Sequence, residues 1–213
     1  MSPYILHCFG ESGNAYKAAL MLELCGLTWT AAPVDFFNNE TRAPEWRAKI
    51  NEMGEAPVLL HDGKTMTQSG VMLVYLSRLT GKFGAKDEDG RMEILRWMLF
   101  DNHKFTANIA TLRFLYCFAK TGETPVTQFL RGRAEAAAAI VDRHLAQSAF
   151  MTGDDPTIAD ISLCGYVYYP EDYGLDWSKY THIARWKDAL KALPGWKAPY
   201  DLMARAPARR QAG

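Results

Sequence analysis

The spacing of hydrophobic and polar positions changes twice within the first quarter of this chain. Residues 4–9, "YILHCF", are a short run of strand formers, and the turn "GESGN" follows them. From Asn14 the spacing becomes helical. Ala15, Ala18, Ala19, Leu22 and Cys25 share one face, and Gly26 stands where a left-handed residue would end the helix. "LTWTAAPVDF" reads as a second strand, broken or ended by Pro33. The polar stretch "NNETRAPEWRAKINEMGEA" leaves room for a short helix around residues 45–50. "APVLLHDGKTMTQS" then gives two strands joined through Asp62-Gly63, a strong hairpin signal, and "SGVMLVYLSRLTGK" a helix entered at Ser69 and closed at Gly81. Up to Gly81 the pattern is βαβ, a connecting segment, then ββα.

Residues 82–90, "KFGAKDEDG", are charged and contain glycine, as a linker would. Beyond them the pattern is helical only: "EILRWMLFDNHKFTANIATLRFLYCFAK", "TQFLRGRAEAAAAIVDRHLAQS", "PTIADISLCGYVYY" and "HIARWKDALKAL". The expectation is an α/β domain over 1–81, an all-helical domain over 88–205, and a disordered tail over 206–213, which is small, basic and proline-containing.

At 213 residues and 48% hydrophobic, the chain is long enough to bury a substantial core. Lys+Arg and Asp+Glu balance at 24 each, so no strong field draws it to nucleic acid or to an anionic membrane. Cys8, Cys25, Cys117 and Cys164 are widely spaced, without a C-x-x-C pair or zinc spacing, which suits reduced thiols in a cytoplasmic protein. No secretory pattern opens the sequence and no apolar run is long enough to span a bilayer. The histidines show no ligand spacing, so no metal is expected.

Three polar clusters carry candidate chemistry. Ser12, at the strand-to-helix turn, is either an N-cap or a donor to a ligand's negative charge, with Asn14 two places on. Pro57 is either an ordinary strand-opening proline or part of a cis Ala56–Pro57 bond that turns the Ala56 backbone toward an extended peptide ligand. Ser69 is either the N-cap of its helix or, with the free N–H groups there, a carboxylate site; Gln68 adds an acceptor for an ammonium group. A fourth motif is structural. Thr157 and Asp160 have the form of a capping box, with Pro156 and Ile161 placed to staple it. Cys8, inside a strand pattern with no partner cysteine nearby, reads as a buried structural thiol.

Taken in order, "SGNAYKAAL", "RAPEWRAKINEMGEAPVLLHDG", "TQSGVMLVYL" and "GDDPTIADISL" make the chain resemble a cytosolic glutathione transferase of the bacterial, serine-type kind along nearly its full length. The resemblance implies a thioredoxin-like N-terminal domain, a helical C-terminal domain that lines the electrophile site, and a homodimer. It implies glutathione as co-substrate and a small hydrophobic electrophile as the second substrate. It makes Ser12 the donor to the glutathione sulfur and brings Asn14 close to it. It pairs the Ala56 backbone, before cis Pro57, with the cysteinyl residue, and Gln68 and Ser69 with the γ-glutamyl end. Two positions depart from the family: Glu55 stands where a lysine often faces the glycine carboxylate, and Glu52 where many members have proline. Arg42 or Lys49 is then the cation expected to take over. Reduction of disulfides or hydroperoxides, and a non-catalytic binding role on the same fold, stay open beside conjugation.

Overall fold

A computed structural model describes residues 4–210. The chain falls into two units: residues up to Lys82 together with those from Pro194 on, and Phe83–Leu193.

The first unit is built on four strands, β1 (Tyr4–Cys8), β2 (Trp29–Pro33), β3 (Val58–His61) and β4 (Lys64–Thr67), in the order β2-β1-β3-β4. β1 runs parallel to β2, with Leu6 opposite Ala31, and antiparallel to β3, with Leu6 opposite Leu59. β3 and β4 form the expected hairpin: Asp62 (φ 52°) and Gly63 (φ 72°) take the left-handed backbone that a tight two-residue turn between twisted strands requires. β2 lies at the sheet edge, where Pro33, lacking an N–H, removes no bond the sheet needs.

α1 (Gly13–Cys25) is buried on nearly every side, including Ala15, Ala18 and Ala19, whose small side chains admit close neighbours. Gly26 closes it at φ 72°. α2 (Pro44–Lys49) buries Trp46 in a cluster with Phe9, Val34 and Val58. α3 (Ser69–Thr80) ends at Gly81, whose N–H reaches Ser77 O at 2.8 Å.

The second unit contains helices and turns but no strand among the described residues. α4 (Glu88–Phe100) is capped by Asp87 and continues through a π-helical turn at Asp101–Phe105 into α5 (Thr106–Arg113) and a second such turn at Phe114–Phe118. The single long helical pattern read from the sequence is thus one helical run loosened twice. Asp101, fully buried in the first π turn, accepts from Thr106 Oγ1 and from Ser162 Oγ, both at 2.6 Å. α6 (Pro125–Leu145), α7 (Ile158–Leu163) and α8 (Thr181–Lys191) complete the unit. The capping box at α7 forms as its sequence implies, with Asp160 Oδ2 accepting Thr157 N at 2.8 Å. Asp160 Oδ1 also accepts Met151 N and Trp186 Nε1, each at 2.8 Å. No helix among the described residues is long and apolar enough to cross a membrane. This is the thioredoxin-like domain followed by a helical domain that the resemblance implies.

The end of the chain differs from the sequence reading. The boundary drawn at 205 falls instead at Pro194, and α9 (Pro199–Leu202) belongs with α1 in the first unit. The tail expected to be disordered over 206–213 is hydrogen-bonded as far as it is described: Ala206 N donates to Glu11 Oε2 at 2.9 Å and Arg210 N to Asn38 Oδ1 at 2.8 Å. Small and basic composition carries no information about these backbone bonds. Residues 211–213 lie outside the described part.

Candidate functional site

The register of the sheet decides which sequence clusters meet. His7 opposes Val58, and Val58 opposes Thr67. The end of β1, the start of β3 and the end of β4 therefore share one edge. The chain leaves or enters that edge through Ser12, through Ala56–Pro57 and through Gln68–Ser69, so three clusters far apart in sequence stand side by side.

Ser12, 7% exposed, is the N-cap of α1. Its Oγ accepts the Ala15 N–H at 3.1 Å. A hydroxyl that accepts in a cap keeps its own proton to donate, so capping and anion binding do not compete for the same atom. Asn14 Oδ1 receives the Ser69 hydroxyl at 3.5 Å, a long contact that links the first turn of α1 to the first turn of α3. Two helix N-termini, each carrying partial positive charge, are thereby brought to one place.

Ser69 is not the cap of α3. Gln68 occupies that position, with φ 66° and ψ 115°, and its side chain makes no capping bond. Non-glycine residues adopt this backbone at a cost of about 1–3 kcal/mol, and such residues cluster at functional sites. Gln68 Nε2 donates instead to Glu55 Oε2 at 3.0 Å. The Ala56–Pro57 bond is cis, and β3 begins immediately after it. Asn51, 5% exposed, braces the preceding loop: Nδ2 donates to Glu55 O at 3.0 Å, and Oδ1 accepts Met53 N at 3.0 Å.

Arg42 and Lys49 are both exposed, and among the described residues neither side chain bonds to the 51–57 loop. The cation that does is Arg47, whose Nη1 donates to Glu52 O at 3.0 Å. A Cβ on Gly54 (φ 68°) would stand 2.5 Å from Arg47 Nη2, so glycine is needed for the guanidinium to lie there. Sequence spacing alone gives no reason to prefer Arg47 to its two neighbours. Cys8 is buried in β1, and burial pushes its thiol up to about 12, which makes it a poor nucleophile at neutral pH.

Residues 12–79 match the family model described as glutathione S-transferase, N-terminal domain, and residues 105–194 that of the glutathione S-transferase C-terminal domain. Among curated proteins, the chain is 30% identical to a maleylacetoacetate isomerase of Rhizobium meliloti (strain 1021), over 81% of this chain and 84% of that protein. It is 26% identical to glutathione S-transferase D6 of Drosophila melanogaster, over 88% of each. Among solved structures, a glutathione S-transferase from Pseudomonas fluorescens Pf-5 superposes with a TM-score of 0.86 at 28% identity, covering 93% of this chain and 99% of that one. With both domain models matched in order, and a relative at this identity across most of its length, the chain belongs to the glutathione S-transferase family of enzymes.

Proposed function

We propose that the chain binds glutathione at the edge formed by Ser12, Ala56–Pro57 and Gln68–Ser69, and that Ser12 holds its sulfur as a thiolate for attack on small hydrophobic electrophiles. One observation carries this reading: the Ser12 hydroxyl caps α1 as an acceptor while keeping a proton to donate, beside a second helix N-terminus joined through Asn14 and Ser69. A thiol of pKa about 8.5 is little ionised at neutral pH. Lowering it by two units takes roughly 2.7 kcal/mol of differential stabilisation. A hydrogen bond to the anion, roughly 1.5–3 kcal/mol, and a helix N-terminus, about 0.3–1 kcal/mol, are together of that size. With Asn14 Oδ1 engaged by Ser69, its Nδ2 is the end left to donate to an anion.

In this reading the Ala56 backbone pairs with the cysteinyl unit, Gln68 and Ser69 hold the γ-glutamyl end, and Arg47, rather than Arg42 or Lys49, meets the glycine carboxylate. The test is calorimetric titration of glutathione into wild type and Ser12→Ala, with thiolate absorbance followed in parallel. Wild type should bind and form thiolate at neutral pH; the variant should bind and form little. A wild-type protein that binds no glutathione would refute the reading and leave Ser12 as a cap alone.

The likeness to a maleylacetoacetate isomerase favours a second reading of the same site. There the thiolate would add to an activated double bond, allow rotation about it and leave again. Mass spectrometry of the product separates the two, since a conjugate retains the sulfur and an isomer does not. A product that is glutathione disulfide would point instead to disulfide or peroxide reduction. We also propose a cytoplasmic homodimer. Met92, Leu95 and Leu99 lie on one face of α4 and are each about half exposed, an apolar row suited to burial against a second copy.

A further inference from the structure

Ser12 is delivered by a four-residue turn, closed by Ser12 N donating to Phe9 O at 3.1 Å. Its two central residues, Gly10 and Glu11, are both held by the same distant piece of chain. Gly10 N donates to Ala204 O at 2.7 Å. Glu11, 7% exposed, accepts Ala206 N on Oε2 at 2.9 Å and faces Arg205 Nη1 at 3.7 Å. The approach is close enough that a Cβ on Gly10 would stand 2.8 Å from Met203 O and 3.0 Å from Ala204 O. Ala206 packs on the cluster containing Phe9, the first residue of the turn. Farther along, Asn38 Nδ2 donates to Ala208 O at 3.1 Å, which holds the segment down beyond the turn.

We infer that residues 203–206 form a strap that positions Ser12, with Glu11 as the residue through which it acts. The inference rests on Ser12 being the thiolate donor proposed above. The helix end fixes only where Ser12 leaves α1. The direction of its hydroxyl toward a bound sulfur depends also on the turn before it, which makes no further element of regular structure of its own. The strap supplies a backbone N–H and a cation to the buried carboxylate one residue before the thiolate donor, and so reduces its repulsion of the anion that Ser12 is to hold. Strap and turn thus act on the sulfur in the same sense, by geometry and by charge.

Ala206→Pro removes the N–H given to Glu11 without changing any charge. Two readouts apply: the pH midpoint of thiolate formation by bound glutathione, and amide hydrogen exchange over residues 10–15 in the protein without ligand. Ala206→Pro should raise the midpoint by about one unit, roughly a ten-fold loss of thiolate well below the midpoint, and speed exchange of the Gly10 and Ser12 amides. Its glutathione dissociation constant, measured well below both midpoints where the bound sulfur is a thiol, should stay near that of wild type, because Gln68 and Ser69 are untouched. Glu11→Gln keeps an acceptor for Ala206 and should leave exchange slow and the midpoint no higher than in wild type. If Ala206→Pro does not fold, Glu11→Ala breaks the same bond from the other side and is judged by exchange. Unchanged exchange and an unchanged midpoint in the folded variant would overturn the strap while leaving the glutathione reading intact. No thiolate in wild type would overturn the glutathione reading, and exchange alone would then decide whether the strap holds the turn.

Discussion

At the scale of single residues, the site turns on atoms that do two things at once. Ser12 accepts from Ala15 and retains a proton, so Ser12→Ala should lose both functions. The expected result is a stability loss of roughly 0.5–2 kcal/mol from the cap, seen in urea unfolding, together with loss of thiolate at neutral pH. Gly10→Ala should be costly despite the small change, because the atoms it meets are backbone oxygens of residues 203 and 204. A loss of about 1–3 kcal/mol is expected, again by urea unfolding. Buried thiols should be inert: at pH 8, iodoacetamide should spare Cys8, Cys25 and Cys164 in the folded protein and modify them once it is unfolded. The turns and helix starts that carry Ser12, Asn14, Gln68 and Ser69 were legible in sequence, although the cap of α3 is Gln68 and not the Ser69 that the sequence offered. The Asn14–Ser69 link was not legible, since it depends on β4 lying two strands from β1. Nor was the bond from Arg47 to the 51–57 loop, which neither Arg42 nor Lys49 makes among the described residues.

At the scale of elements, local signals were read well and their distant consequences were not. The Thr157/Asp160 capping box is visible in four consecutive residues. That Asp160 also takes Met151 N and Trp186 Nε1 is not, because those partners come from other parts of the chain. Asp160→Ala would leave three buried donors without an acceptor, each costing about 1–3 kcal/mol, so a loss above ~3 kcal/mol is expected. Thr157→Ala should lose only about 1 kcal/mol, and calorimetric melting distinguishes the two. Glu23 joins α1 to β2 and to the turn before α9, accepting Trp29 Nε1 and Lys197 Nζ, each at 2.8 Å. Burial raises its carboxyl, but the bonds from Lys197 and Trp29 and the nearby Lys197 charge together hold it below the ordinary glutamate value. A depressed folded value means stability that is present above the unfolded pKa, about 4.3, and lost as pH falls through the folded one. Glu23→Gln should therefore flatten the fall in melting temperature on acidification through that window.

At the scale of the whole molecule, the pattern of hydrophobic positions gave the two kinds of domain and their order, since strand-like runs end at β4 and only helical spacing follows the linker. It did not give the composition of the first unit. α9 and the segment after it carry no pattern that says which unit they join, and only their contacts with α1, Glu11 and Asn38 assign them. The proposed dimer is tested at this scale too. Leu95→Asp combined with Leu99→Asp should shift the protein to a monomer by analytical ultracentrifugation while leaving the melting of the isolated chain nearly unchanged, because both side chains are exposed within it. An unaltered sedimentation coefficient would place the interface elsewhere.

The return of the chain from Pro194 to its first unit has a consequence for biosynthesis. A ribosome makes β1, α1 and the Ser12 turn before the helical unit, yet the strap proposed to hold this turn is made only after every residue of that unit. The helical unit can collapse while the first unit is still incomplete, and the candidate edge becomes fully framed only once residues 203–206 have been made. A chain stalled before residue 203 would carry Ser12, Gln68 and Ser69 and still lack the segment proposed to set Ser12.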